Sequence, residues 1–329
     1  MYNILMLTTG GTIMSVGTEE GYAPTSPDFL LKEMGEVSKD YNVVTKEILR
    51  LDSSNIQPEE WKIIAREVYA AGTNYDGIVI VHGTDTMSYT ASMLSFMLRN
   101  LPIPVVITGS QVPVGQPFSD AISNLGAAFA MAASGTPGVF VAFDRKIILG
   151  SRAVKVRTTG FNAFESINAP YAAVIDATGL SVNNDVIVAP EGSYMLEDNY
   201  CSNVFLLKIT PGSDPAIIEK LMEMGYKGIV IEAFGIGGIQ FMRRDFISIL
   251  EKAREKGVAV VVCSQCLYER SDFSIYQVGQ KVLQTGAIQA FDMTSEAAVT
   301  KLMWALGQTD DLHKIRVMFE TNYAGEISF

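Results

Sequence analysis

Thr8-Thr9-Gly10-Gly11-Thr12-Ile13 sets two adjacent glycines among three hydroxyl side chains, directly after an apolar run at residues 4–7. Paired glycines let a backbone turn sharply and present its N–H groups to an anion or oxyanion, while threonines bring hydroxyls to the same place. A phosphate loop is the obvious competitor, but neither G-x-x-x-x-G-K-[ST] nor G-x-G-x-x-G occurs here. The second cluster is His82-Gly83-Thr84-Asp85-Thr86-Met87, entered from the apolar run at residues 78–81. A carboxylate beside a hydroxyl suits recognition of an ammonium group and orientation of a proton acceptor. The plainer alternative for Asp85 or Thr86 is capping of the helix that follows.

The elements that must position these clusters are short β-rich runs at residues 4–7, 77–81, 105–108 and 139–143, alternating with helical periodicity at 58–71, 86–98 and 119–133. Ser119 and Asp120 stand as cap candidates for the last of these helices. Such alternation predicts an α/β fold, with a larger N-terminal doubly wound, mostly parallel sheet domain over residues 1–185. A polar stretch at 186–204 reads as a linker to a second, smaller C-terminal α/β domain over 205–329. In open α/β sheets ligands sit beyond the carboxyl ends of the strands, which is where both clusters fall.

The chain has 329 residues, 48% of them hydrophobic, enough for a sizeable core. A net charge of −11 repels phosphate backbones and anionic membrane surfaces, so neither nucleic acid nor membrane is expected as a partner. The start at Met1, Tyr2 and Asn3 lacks the pattern of a secretory signal, and three cysteines make an odd count for a disulfide framework, so a cytoplasmic location is expected. Cys263 and Cys266 form a lone C-x-x-C, and with only two histidines, His82 and His313, they read as small buried side chains at a strand end rather than a metal or redox site.

Taken together, Thr9-Gly10-Gly11-Thr12-Ile13 and His82-Gly83-Thr84-Asp85-Thr86-Met87 closely resemble the two signatures of the bacterial-type L-asparaginase family. The similarity extends to Asp52-Ser53-Ser54 ahead of Trp61, to Ile107-Thr108-Gly109-Ser110-Gln111 followed by Ser119-Asp120, and to Asp292-Met293-Thr294. The Asp52-Ser53-Ser54 form and the missing leader point to the cytoplasmic, type I branch. What the resemblance implies is an amidohydrolase cutting L-asparagine to L-aspartate and ammonia, with Thr12 as nucleophile and Tyr22 beside it on a lid at residues 17–24. It likewise implies a second catalytic group of Thr84, Asp85 and Lys155, the lysine lying three residues after Arg152. Ser53 and Ser54 would hold the substrate α-carboxylate, Asp85 the α-ammonium, and backbone N–H groups around Gly11 and Thr84 the oxyanion.

The implied reaction is a double displacement through an aspartyl ester on Thr12. A threonine hydroxyl is a poor nucleophile near neutral pH, and two bases stay open: Thr84 with a neutral Lys155, or Tyr22 directly. Neither needs a metal or organic cofactor. The resemblance also implies a homodimer or homotetramer. The chain departs from the family at Gly235-Ile236-Gly237-Gly238, where many relatives end in an Asn that reaches a neighbouring subunit's site, and this puts selectivity between Asn and Gln in question. Glu232 stands where allosterically regulated cytoplasmic relatives can carry Arg, so activation by asparagine stays open. Rival readings are the asparaginase-like subunit of an archaeal glutamyl-tRNA amidotransferase, which would need an extra N-terminal domain, a lysophospholipase-like activity, and a non-catalytic amino-acid sensor.

Overall fold

The computed structural model describes residues 1–18 and 21–328, and for residues 16–18, 21–24, 36 and 37 the backbone alone. Its chain divides into two compact units, Met1–Asp198 and Asn199–Phe329.

In the first unit, eight strands form one sheet in the order Gly179–Val182, Ala173–Asp176, Lys146–Leu149, Gly138–Phe143, Pro104–Thr108, Gly77–Val81, Tyr2–Gly10, Tyr41–Leu51. The last five in that order are parallel, and the first three are joined by antiparallel pairings. Gly77–Val81 and Pro104–Thr108 are buried along their whole length, as parallel strands covered on both faces must be. Tyr41–Leu51 is an edge strand that the sequence reading did not pick out, its residues mixed in polarity and none of them fully buried.

Between the strands run Pro58–Ala71, Met87–Met97 and Ala121–Ala132. Pro58–Ala71 buries Trp61, Ile64, Ala65 and Val68 at helical spacing, and the Gln57 N–H donates to Glu60 Oε2 at 2.8 Å to close its first turn. The segment read as linker, 186–204, contributes a short strand, Met195–Leu196, paired with Leu98–Arg99, and carries Asp198, the last residue of this unit, which accepts from Arg66 at 2.6 Å.

Strand order is what locates the crevice. From Tyr2–Gly10 the chain passes to Tyr41–Leu51 on one side, then crosses back to Gly77–Val81 on the other. The connections therefore diverge at the carboxyl ends of Tyr2–Gly10 and Gly77–Val81, and such a reversal opens a ligand-sized gap in doubly wound sheets.

The second unit carries a four-stranded parallel sheet in the order Val204–Lys208, Gly228–Ala233, Ala259–Ser264, Ile288–Gln289. Cys263 is buried at its strand end, with the thiol donating toward Ile231 O at 3.6 Å and burial pushing its pKa up to about 12, whereas Cys266 is exposed. Among the described residues no three His, Cys, Asp or Glu side chains gather as metal ligands, and no helix is long and apolar enough to cross a membrane. Gly237, at φ +129, packs so close to the Phe273 ring that a Cβ would meet it at 2.6 Å, whereas a Cβ on Gly238 would meet Phe234 O and Cβ at an ordinary 3.5 and 3.7 Å.

Lys301 and Glu326 form an ion pair at 2.5 Å, both fully buried, within this unit. Lys301 Nζ also donates to Thr321 O at 2.9 Å, while Glu326 accepts the N–H groups of Tyr323 and Ala324, so each charge is multiply satisfied and the last residues are clamped to the helix Ser295–Gln308. Removing one partner strands the other charge in the core. Lys301→Met is expected to cost roughly 3–5 kcal/mol of unfolding free energy, with a smaller loss in Lys301→Met/Glu326→Leu, as measured by denaturant titration.

Candidate active site

Three turns meet at the crevice, two of them backbone to backbone and the third through the Ser53 side chain. Gly10 and Gly11 adopt φ of +111° and +85°, a region that disfavours any side chain. A Cβ on Gly11 would lie 2.5 Å from Gly83 Cα and N, and one on Gly83 would lie 2.6 Å from Ser53 Oγ. The turn after Tyr2–Gly10, the turn after Gly77–Val81 and the turn after Tyr41–Leu51 are thus in direct contact, which only glycine permits. The Gly11 N–H is already spent on Leu51 O at 3.1 Å. Thr12 begins the short 3-10 turn Thr12–Met14 and its side chain is exposed.

Across the crevice, Lys155 Nζ donates to Thr84 Oγ1 at 2.8 Å and to Asp85 Oδ1 at 2.6 Å. Thr84, Asp85 and Lys155 are therefore brought together as the sequence pattern implied, with Lys155 delivered by the hairpin Ala153–Lys155 and Phe164–Ser166. That hairpin is anchored by Glu165, which accepts from Lys146 at 3.1 Å and from the Tyr171 hydroxyl at 2.5 Å. Asp85 is 63% exposed, so its ion pair with Lys155 is worth roughly 1 kcal/mol or less and is readily exchanged for another cation.

Ser53 is buried and Ser54 exposed. Ser53 Oγ accepts from the Asp85 N–H at 3.2 Å and Ser53 O from Thr86 Oγ1 at 2.7 Å, which ties this turn to the one carrying Thr84. Ser54 gives both its N–H, at 2.9 Å, and its hydroxyl, at 2.6 Å, to Asp52 Oδ1. Those two bonds, the hydroxyl's first, hold the Asp52 carboxyl below its ordinary range. Neither Asp85 nor Thr86 caps the helix Met87–Met97 with its side chain.

Gln111 is a residue whose motif gave it no role. Its Nε2 donates to Thr158 O at 3.1 Å and Gly160 O at 3.2 Å, on the loop of the Lys155 hairpin, which turns Oε1 toward Thr84 Oγ1 at a long 3.4 Å. Its own N–H is held by Asp120 Oδ1 at 3.0 Å. Asp120, expected as a cap, instead points back along the chain to this loop, and Ser119 Oγ accepts the Ala121 N–H at 3.2 Å. Only a contact between segments distant in sequence could have exposed that role.

His82 lies fully buried behind the Thr84 turn, its Nδ1 2.6 Å from Gly83 O and its Nε2 2.9 Å from Thr90 Oγ1. Trp61 Nε1 donates to the same hydroxyl at 3.0 Å. Burial pushes the imidazole pKa down to about 4, so the ring is neutral. The Tyr22 side chain lies outside the described residues. Its backbone belongs to the strand Gly21–Pro24, paired with Ser15–Thr18 just beyond Thr12.

A doubly wound sheet with two hydroxyl turns and a lysine at its switch point defines the class, and comparison with known proteins supplies the family. Residues 3–188 match the family described as Asparaginase, N-terminal, and residues 203–319 the Glutaminase/Asparaginase C-terminal domain. The L-asparaginase of Thermococcus kodakarensis is 46% identical over 328 residues, 99% of each chain, and the solved structure of the thermostable L-asparaginase from that organism superposes with a TM-score of 0.93 at 45% identity, covering 99% of each chain. A subunit of the glutamyl-tRNA(Gln) amidotransferase of the same organism is 41% identical over 99% of this chain and 76% of its own length. The chain belongs to the asparaginase family and is a hydrolase of the asparaginase type.

The expected placing in the bacterial-type, cytoplasmic type I branch is overturned. The relatives above are archaeal, whereas L-asparaginase I from Vibrio cholerae, matched over 100% of this chain and 99% of its own, shares 28% identity at a TM-score of 0.88. The physical reason is that two short motifs report on a site, while the branch is read from identity over the whole chain, which is higher to the archaeal relatives.

The neutral, buried His82 makes stability depend on pH. Its folded pKa of about 4 lies below the 6.5 of an unperturbed imidazole, so the unfolded chain binds the extra proton first. The stabilisation is complete above pH 6.5 and is lost as pH falls toward 4. Across that window the wild type is expected to lose about 3 kcal/mol more unfolding free energy than His82→Asn, read from urea midpoints at several pH values.

Proposed function

We propose that this protein hydrolyses the side-chain amide of L-asparagine, giving L-aspartate and ammonia, with Thr12 as nucleophile. The observation that carries the reading is Thr84 Oγ1 held at 2.8 Å by Lys155 on a turn whose backbone abuts the Thr12 turn. Thr12 Oγ bonds to the amide carbon, the carbon–nitrogen bond breaks, and ammonia leaves with a proton from the site. Water then adds to the ester carbon, and the Thr12–carbon bond breaks to release aspartate.

Substrate binding prepares the base in this scheme. The α-ammonium takes Asp85 from Lys155, and in the neutral-lysine route Lys155 is left facing Thr84 alone. Thr84 then passes its own proton to Lys155 as it activates the attacking group. Tyr22 is the other candidate to receive the Thr12 proton. The Ser53 hydroxyl, which accepts from Asp85 N–H, keeps its proton for the α-carboxylate, and Ser54 joins it once its bonds to Asp52 open. Gly11 contributes through the shape of its turn, and the Thr84 N–H is the better oxyanion donor, since the Gly11 N–H is engaged by Leu51.

We place the protein in the cytoplasm as a homodimer or homotetramer that needs no cofactor. The 41% identity to an amidotransferase component favours one alternative, membership of such a complex acting on tRNA-bound substrate, against which stands the net charge of −11. Ammonia release from free asparagine by the isolated chain decides between them. Thr12→Ala, Thr84→Ala and Lys155→Met are each expected to lower that rate roughly a thousandfold or more with little change in melting temperature. Equal, slow release by wild type and all three variants, with asparagine still bound, would instead mark an amino-acid sensor.

A further inference from the structure

The mechanism above leaves His82 without a role, although it is a fully buried titratable side chain joined to the catalytic turn. Its hydrogen-bond partners determine where its proton sits. A carbonyl oxygen can only accept, so the 2.6 Å contact from Nδ1 to Gly83 O requires hydrogen on Nδ1. A neutral ring then carries none on Nε2, and the Thr90 hydroxyl, 2.9 Å away, must donate to it. Thr90 is itself oriented by the Trp61 N–H, which occupies one of its lone pairs at 3.0 Å. The result is a one-way chain, from Trp61 N–H to Thr90 O–H to the His82 ring to the Gly83 carbonyl.

We infer that His82 is a positioning residue which, locked in its Nδ1–H tautomer by Thr90, pins the Gly83 carbonyl toward the core and so aims the Thr84 N–H into the crevice. The step from carbonyl to N–H is set by covalent geometry. No peptide bond among the described residues is cis, and in a trans peptide the C=O and the next N–H point to opposite sides of one plane. With the Gly83 carbonyl turned inward to a buried ring, the Thr84 N–H faces outward, beside the half-buried Thr84 hydroxyl. Gly83 is free to rotate about its own backbone torsions more than any other residue, and so needs an outside restraint. The close approach of Gly11 on one side and Ser53 on the other fixes where Gly83 sits, and the His82 hydrogen bond fixes how its carbonyl is turned. An N–H aimed in advance at a developing oxyanion stabilises the transition state more than the ground state.

This inference rests on the hydrolytic reading, and its test separates the two. The full chain has two histidines, so ¹⁵N-histidine labelling of His313→Gln leaves the His82 ring as the single imidazole signal. Protonated Nδ1 and bare Nε2 are expected from pH 6 to 9, and the reverse tautomer would overturn the inference. Thr90→Val keeps the side-chain shape but removes the donor. It is expected to lower kcat for asparagine hydrolysis by about tenfold with KM within about twofold, and Thr90→Ser is expected to restore the rate. Unchanged kcat in Thr90→Val, or a loss that Thr90→Ser does not repair, would assign the chain of bonds to stability alone. If the wild type released no ammonia, the proposed function would fall, while the tautomer measurement would still decide whether His82 holds the peptide.

Discussion

Everything at the site depends on three loops approaching more closely than side chains allow. Gly11 lies against Gly83, and Gly83 against Ser53, at separations where one added carbon would stand 2.5 to 2.6 Å from its neighbour. Van der Waals contact between carbon atoms lies near 3.5–4.0 Å, so the two glycines are conditions of the architecture. Because each contact has a glycine backbone on one side, and each turn ends a strand of the same sheet, the relative placement of Thr12, Ser53 and Thr84 is tied to that sheet. Sites carried by the ends of parallel strands are held more tightly than sites on free loops.

Around that contact the polar groups are satisfied by one another. Lys155 is shared between Thr84 and Asp85, Ser53 accepts from Asp85 and Thr86, and Ser54 is closed onto Asp52. A resting site of this kind is stable without ligand, yet its ion pair is exposed enough on the Asp85 side to be exchanged at little cost. The proposed substrate, a zwitterion, carries the two charges that such an exchange requires. Behind the turn, Gln111, Asp120 and Glu165 brace the Lys155 hairpin and the Thr84 side from three directions.

The family is wider than the motifs suggest. Proteins named L-asparaginase and others named as components of a glutamyl-tRNA(Gln) amidotransferase match over 99% of this chain, at 46% and 41% identity. At Gly238 an added side chain would meet its neighbours only at ordinary van der Waals distances.

Much was legible in the sequence because it was written in local chemistry. The helix Pro58–Ala71 followed from apolar residues at helical spacing, and the buried strands from short β-branched runs. Thr12, Thr84, Asp85 and Lys155 were singled out by the resemblance that two intact motifs carry, and the structure brings the last three within hydrogen-bonding distance of one another. What only the tertiary structure decided were relations between distant segments. The edge strand Tyr41–Leu51 alternates only over its first half, with Tyr41 and Val43 toward the core, and the Asp52-Ser53-Ser54 turn reaches the crevice because that strand pairs with Tyr2–Gly10. The inward turn of Asp120, the bracing by Gln111 and the tautomer of His82 likewise depend on partners 8 to 49 residues away. Local pattern records what a residue prefers, and a hydrogen bond across such a gap exists only once the sheet has brought its two ends together.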